Sequence, residues 1–459
     1  MFCTQPGILE NRVAKNRVRA IYNILFTIAF GLSSPYYFWR LWRRGNWKTG
    51  FGQRFGLYDS RIKQALTNRH VLWMHAVSVG EVNLCTQIIR GLELRMPNLK
   101  IIVSTTTTTG MARLHERLPT HVSKIYFPID RRSHVARAMA TVRPDAIVLV
   151  EAEIWPNFIW SVRDMGIPIF LVNARLSERS HRGYRRFGFL FRSIFASFTG
   201  VGAQTEEDAA RLREIGCRPE AIHVVGSLKF DAAKLDEKRV LDVPGMLRQM
   251  GVPAGARVLV AGSTHSGEEK VLARQTLRLR ERFPDLFLIL VPRHFERCKD
   301  VGQELRDLGV KFVFRSEITA ATQFKSGEID CLVVNTTGEL MHFYEQASVI
   351  FVGKSLTAKG GQNPIEPGVL GKPMVFGPQM QNFADVARNF VINGGAVQVR
   401  DDVELEQAFV ELLEDEGRRQ QLGANALQVV KANLGAIERT VDMIVPNLEG
   451  GKLYAGLRR

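Results

Sequence analysis

The sequence predicts an α/β protein of two doubly wound, Rossmann-like domains facing a cleft, preceded by an apolar membrane-anchor helix. Three observations predict it. Short apolar runs, such as residues 71–74, 146–150 and 286–291, recur between stretches of helical period, as buried parallel strands and their crossover helices do. The alternation stops in a polar, charged link near Ala232 to Asp242 and then restarts, which marks a second domain. At 459 residues the chain is also too long for one ordinary core.

The anchor is read from the N-terminus. Residues 1–58 hold nine Lys/Arg and one acid, Glu10, a net +8 out of a formal +16. Residues 21–41 are mostly apolar, flanked by Arg12, Lys15, Arg17 and Arg19 and by Arg40, Arg43 and Arg44. Ser33, Ser34 and Pro35 interrupt the run, and the unbroken part, 21–32, is shorter than the ~20 residues a bilayer span needs. Tyr36, Tyr37, Trp39 and Trp42 suit the headgroup layer. No small-residue cleavage site follows, so a membrane anchor, spanning once or lying in the interface, is expected rather than a signal peptide.

In the first domain, strand 71–74 runs into a turn at Gly80 and an amphipathic helix, placing Glu81 in the first helical turn. Ligands of open α/β sheets sit beyond the carboxyl ends of the strands. Glu81 is thus either a dipole-complementing acid or a catalytic one. Strand 99–105 ends in Thr105 to Thr109 and Gly110, hydroxyls that can cap a helix or meet a ligand. A short strand, 124–127, comes next. Strand 146–150 ends in Glu151-Ala152-Glu153-Ile154-Trp155-Pro156-Asn157. Two acids there are costly to bury unless paired, so they are salt-bridged or functional. Strand 168–172 leads to Asn173-Ala174-Arg175-Leu176-Ser177. Residues 182–198 interleave basic and aromatic side chains, fitting either an anionic lipid surface or a core helix with a solvated basic face. Strands 200–203 and 223–225 finish the sheet, and Gly226-Ser227-Leu228-Lys229-Phe230-Asp231 sets Lys229 to meet an anion.

In the second domain, 258–261 leads to Gly262-Ser263-Thr264-His265, and a helix starts near Gly267. Strand 286–291 leads to Pro292-Arg293-His294, and 332–334 to Asn335-Thr336-Thr337-Gly338-Glu339-Leu340. Strand 349–352 leads to Gly353-Lys354-Ser355 and on to Gly360-Gly361-Gln362-Asn363-Pro364-Ile365-Glu366, with Asn363 as N-cap and Pro364 in the first turn. Residues 373–376 form another short strand, and helical period dominates from 403 onward apart from Pro446.

The net charge implies an anionic partner. Half of it lies in the apolar N-terminal segment rather than over a folded groove, which favours a membrane surface and speaks against nucleic acid. The five cysteines (Cys3, Cys85, Cys217, Cys298, Cys331) and ten histidines show no zinc or HExxH spacing, so reduced thiols and no metal are expected.

Helix N-termini after four strands of the second domain can hold phosphate, Arg293 adds a bidentate contact, and Glu366 can accept two ribose hydroxyls. No GxxxxGK[ST] loop occurs and no GxGxxG opens the first βα turn, so a single nucleotide is expected rather than a P-loop or dinucleotide site. A nucleotide on one domain and carboxylates on the other make a glycosyltransferase of GT-B architecture. It needs a base for the acceptor hydroxyl and positive groups for the leaving phosphate. No DxD-like loop offers a metal site, so neither metal nor cofactor is expected.

Several strings in order, His75-Ala76-Val77-Ser78-Val79-Gly80-Glu81, Glu151 to Asn157, Asn173 to Ser177, Gly226 to Asp231, Val291-Pro292-Arg293-His294 and Asn363 to Glu366, resemble the bacterial 3-deoxy-D-manno-octulosonic acid (Kdo) transferases of lipopolysaccharide assembly. The resemblance runs from about Trp39 to the last helices. It implies transfer of Kdo from CMP-Kdo to lipid A precursor (lipid IVA) at the cytoplasmic face of the inner membrane. Glu81 would be general base, and Glu151 and Lys229 transition-state stabilisers. Pro292, Arg293, Thr337, Gly338, Glu339, Asn363, Pro364, Ile365 and Glu366 would bind CMP, with Ser263, Thr264, Arg175 and Glu153 as secondary candidates. The departures are Ala152, where the family pattern has a hydroxyl residue, and a longer basic N-terminus. The expected domains are 1–47 (anchor), 48–231 (acceptor), 243–432 (nucleotide sugar) and 433–459 (helix and tail returning to the acceptor domain). The alternatives are a UDP-sugar transferase or epimerase of the same architecture, and a non-catalytic membrane-docked glycolipid binder.

Overall fold

The computed structural model describes residues 6–43, 48–67, 69–151, 153–231 and 241–449; Cys3, Ala152 and most of the link expected near Ala232 to Asp242 lie outside them. The chain divides into two compact units, Met1–Ala232 with Gly435–Arg459, and Ala233–Leu434.

The first unit is built on a parallel sheet of β1 (Val71–His75), β2 (Lys100–Thr105), β3 (Ser123–Tyr126), β4 (Ala146–Val150), β5 (Ile169–Ala174), β6 (Gly200–Ala203) and β7 (Ile222–Val224). The strand order is β3-β2-β1-β4-β5-β6-β7. Leu72 sits opposite Ile101 on one side and Ala146 on the other, so β1 lies inside the sheet between β2 and β4. Alternation explains why β1 is apolar throughout. Val71 and Trp73 enter one core with Ile102, Ile147 and Phe158, while Leu72 and Met74 enter the other with Val103, Val148 and Ile88. The chain returns to this unit at its end. Helix Ala436–Ile444 packs on helix Val79–Arg95, where a Cβ at Gly91 would lie 3.0 Å from Val441. Asp231 fixes its start, accepting from the backbone N–H groups of Gly435 (2.8 Å) and Ile437 (2.7 Å).

The N-terminal segment is one helix, Pro6–Arg43, that continues through Pro35. Proline removes the N–H that the Gly31 carbonyl would take, and the Ser34 hydroxyl donates to that carbonyl instead at 3.1 Å. Gly31 also has no side chain to crowd the ring. Val18 and Tyr22 pack on the body, Arg19 makes a bidentate pair with Asp164 (2.7 and 2.8 Å), and the Tyr22 hydroxyl donates to buried Asp130 at 2.7 Å. Among the described residues no helix is long and apolar enough to cross a membrane. This corrects the spanning form of the anchor: part of the helix surface is spent on packing, and polar residues break the apolar run.

The second unit repeats the architecture with β8 (Val258–Thr264), β9 (Phe287–Pro292), β10 (Phe312–Phe314), β11 (Cys331–Val333), β12 (Val349–Val352), β13 (Met374–Phe376) and β14 (Val397–Gln398), all parallel, in the order β10-β11-β9-β8-β12-β13-β14. The sequence pattern did not announce β10 and β14. Both are very short edge strands, with polar or charged residues close by. The direction of winding reverses between β1 and β4 in the first unit and between β8 and β12 in the second. Such reversals open the crevice where ligands of open α/β sheets bind.

Candidate active site

In the first unit the loop after β1 and the loop after β4 border the reversal. Ser78 caps helix Val79–Arg95, its hydroxyl accepting from the Glu81 N–H at 3.2 Å. The Glu81 carboxylate returns to the cap, accepting from the N–H groups of Val77 (2.7 Å) and Ser78 (3.2 Å). The helix-capping reading of Glu81 is therefore real, and it holds a buried carboxylate in one orientation at the mouth of the crevice. At the end of β1, the fully buried ring of His75 stacks on Phe127 at 3.9 Å and places Nδ1 2.9 Å from the Ser104 hydroxyl. Burial pushes its pKa down to about 3, so the ring is neutral. Thr107 caps helix Thr108–Arg117 through the Gly110 N–H at 2.9 Å, so its hydroxyl serves the fold.

Glu151 follows β4 with a left-handed backbone, φ 59°. Burial and then the neighbouring Glu81 carboxylate raise its pKa, opposed by Lys229, Arg175 and the Asn173 amide. Glu153 is raised by burial and by Glu81, while the Trp155 indole N–H donates to it at 3.1 Å. The structure thus gathers Glu81, Glu151 and Glu153 with Lys229 and Arg175, residues spread over 149 positions (229 − 81 + 1) of the chain. Three acids with two cations can hold a proton on one carboxyl and leave another free to take one.

In the second unit β11, β9, β8 and β12 are consecutive in the sheet, so their carboxyl-end loops form one row. Arg293 is exposed after β9 and lies close enough to Glu366 to lower its pKa, which burial raises. Asn363 accepts from the Ile365 N–H at 3.1 Å and donates to Glu366 at 3.2 Å; the short helix itself begins at Ile365. Pro292 ends β9, buried. Thr337 and Gly338 are exposed at the tip of the β11 loop, whereas Glu339 turns back to Thr336 (2.6 Å) and Arg315 (3.2 Å). Thr264 is buried and gives its hydroxyl to Glu269 at 2.9 Å, while Ser263 stays partly exposed with φ 55°.

The family model described as 3-deoxy-D-manno-octulosonic-acid transferase (kdotransferase) matches residues 49–232. A 3-deoxy-D-manno-octulosonic acid transferase of Haemophilus influenzae is 30% identical over 399 residues, 86% of this chain and 91% of that relative. One of Bordetella pertussis is 32% identical over 435 residues, 92% of this chain and 98% of its own. The chain belongs to the 3-deoxy-D-manno-octulosonic acid transferase family. A solved UDP-GlcNAc 2-epimerase of Neisseria meningitidis, bound to UDP-GlcNAc, shares the fold at TM-score 0.53 and 14% identity, over 83% of this chain and 99% of that one.

In this Kdo transferase two residues outside the expected site set hold it together. Asn173, fully buried with φ 54°, donates to Glu151 (3.4 Å) and accepts from the Leu228 N–H (3.2 Å), next to Lys229. Glu268, fully buried, accepts four backbone N–H groups across the second reversal: His265 (2.9 Å), Lys354 (2.7 Å), Ser355 (2.9 Å) and Leu356 (3.0 Å). Asn173 stood in a family string that could have signalled it; nothing local signals Glu268. Among the described residues no group of three or more His, Cys, Asp or Glu is arranged to hold a metal ion.

Proposed function

We propose that this Kdo transferase moves Kdo from CMP-Kdo to a lipid A precursor (lipid IVA), with Glu81 as general base for the acceptor hydroxyl. The observation that carries the reading is the gathering of Glu81, Glu151 and Glu153 with Lys229 and Arg175 at the reversal of the first sheet. Glu81 is oriented by two N–H donors and keeps lone pairs for an incoming hydroxyl. Lys229 and Arg175 offset charge as the nucleotide leaves, and Glu151 feels both of them and Glu81. The second unit takes the CMP moiety: Arg293 for phosphate, Glu366 with Asn363 for the ribose hydroxyls, and the exposed Thr337–Gly338 tip with Glu339 for the rest. No step requires a metal or cofactor.

The acceptor is a glycolipid, and the N-terminal helix suits that. Ile21, Leu25, Ile28, Leu32, Tyr36 and Trp39 are all exposed at spacings of three and four, a continuous apolar stripe. With basic residues at both ends, the helix lies in the cytoplasmic interface of the inner membrane and does not cross it. Phe187 and Phe189, exposed among arginines, add a second lipid contact.

Incubation with labelled CMP-Kdo and lipid A precursor tests the proposal: label should enter the lipid, and a wild-type enzyme that transfers none overturns it. Thermal protection by UDP and not CMP would favour the UDP-sugar reading, for which the epimerase-like fold is the only support.

A further inference from the structure

We infer that Lys354 is a phosphate-binding residue of the donor site, an inference that rests on the proposal that the second unit takes a nucleotide sugar. Its place is the first argument. Lys354 comes two residues after β12, across the reversal from Ser263 at the end of β8. The two backbones touch there, since a Cβ at Gly353 would stand 2.5 Å from the Ser263 carbonyl oxygen.

Its backbone is the second argument. Lys354 has φ 53°, in the left-handed region that glycine enters freely and a side chain enters at a cost. Among the described residues five non-glycines do this: Arg143, Glu151, Asn173, Ser263 and Lys354. Arg143 ends a helix. Glu151, Ser263 and Lys354 stand at strand carboxyl ends beside the two reversals, and Asn173 stands near the carboxyl end of β5, the next strand after β4. Strain held at such places goes with function, and here a lysine occupies a position where glycine would relieve it.

The third argument is what the turn itself cannot offer. N–H groups in such turns commonly bind phosphate. Here those of Lys354, Ser355 and Leu356 are all taken by Glu268, at 2.7, 2.9 and 3.0 Å. An anion in this crevice must therefore be met by a side chain. The Lys354 side chain runs toward the right place: its Cε lies 3.4 Å from the Cβ position of Gly360, along the glycine loop leading to Asn363 and Glu366. The residue is partly exposed, and among the described residues no carboxylate pairs with its ammonium group. Lys354 would thus meet the phosphate between the ribose contacts of Glu366 and the partly exposed Ser263.

Calorimetric titration of CMP and of cytidine into the full-length protein tests this. Lys354→Gly should weaken CMP about ten-fold or more and leave cytidine unchanged. Without ligand it should melt no lower than wild type, because glycine relieves the backbone. Lys354→Arg should bind CMP within about two-fold of wild type. Equal CMP affinity in wild type and Lys354→Gly overturns the inference, as does an equal loss for cytidine. A wild type that ignores CMP and binds UDP refutes the CMP-donor reading instead, and UDP against uridine then tests Lys354 in the same way.

Discussion

Asn173→Gly separates the wiring of the first site from its chemistry. Asn173 ties the residue before Lys229 to Glu151, and it does so from a left-handed backbone that glycine adopts without strain. Removing the amide leaves the buried Leu228 N–H without its acceptor, at about 1–3 kcal/mol. Relief of the backbone returns about 1 kcal/mol, since a left-handed non-glycine costs roughly 1–2. The bond to Glu151 is long at 3.4 Å and adds little. The net cost is about 0–2 kcal/mol, or up to roughly 8 °C in melting temperature at about 2–4 °C per kcal/mol for a unit of this size. The catalytic effect should be larger than that suggests, because a displacement near 1 Å of Glu151 or Lys229 can cost about 10²-fold. Initial rates of Kdo transfer should show kcat down by about 10- to 100-fold, with donor KM nearly unchanged because the proposed CMP contacts are in the second unit. A variant with wild-type kcat refutes the reasoning. Asn173→Asp is the companion. It keeps an acceptor for Leu228 and sets a new negative charge beside Glu151, whose pKa burial and Glu81 already raise. It should melt below wild type where the new buried carboxylate is charged, and the Glu151-governed limb of the pH–rate profile should move to higher pH.

Other outcomes follow from the buried carboxylates. Burial pushes Asp130 up to about 6, against the hydrogen bonds from Tyr22, Asn157 and Phe158. Its contribution to folding is therefore full below the ordinary carboxylate range and is lost as pH rises through about 6. Tyr22→Phe raises that pKa further, so it should cost about 1.5–3 kcal/mol near pH 8, where Asp130 is charged, and about 0.5–1.5 near pH 5. Melting curves at the two pH values check this, and an equal loss at both contradicts it. Glu268→Gln leaves two of four buried N–H groups facing an amide NH₂; it should cost roughly 2–6 kcal/mol by chemical denaturation and weaken CMP binding. A Glu268→Gln protein as stable as wild type would sink the claim that this carboxylate pins the β8 and β12 loops.

The sheets were legible because their strands are buried on both faces and read as unbroken apolar runs: Val71 and Leu72 enter opposite cores, yet both are apolar. β10 and β14 were not, since edge strands this short carry no period. Pro35 read as an interruption, but a serine hydroxyl supplies the donor that proline lacks, and the helix continues. The acids of the site stood out because two carboxyls at the end of a buried strand need a reason. Asn173 and Glu268 did not. Asn173 takes the Leu228 N–H from 55 residues away, and three of the four N–H groups on Glu268 come from 86 or more residues away; a distant backbone N–H leaves no mark on the local pattern. Lys354 was visible as a residue, but its left-handed φ was not.

The measurement that bears most directly on the central claim is turnover by Glu81→Gln, followed by mass spectrometry of the lipid after exhaustive reaction with CMP-Kdo. Wild type should add Kdo to the lipid A precursor. Glu81→Gln, which can still accept a hydrogen bond in the cap of its helix, should fold, bind CMP as wild type does, and transfer Kdo about 10²- to 10⁴-fold more slowly. Turnover near the wild-type rate would contradict the assignment of Glu81 as the base.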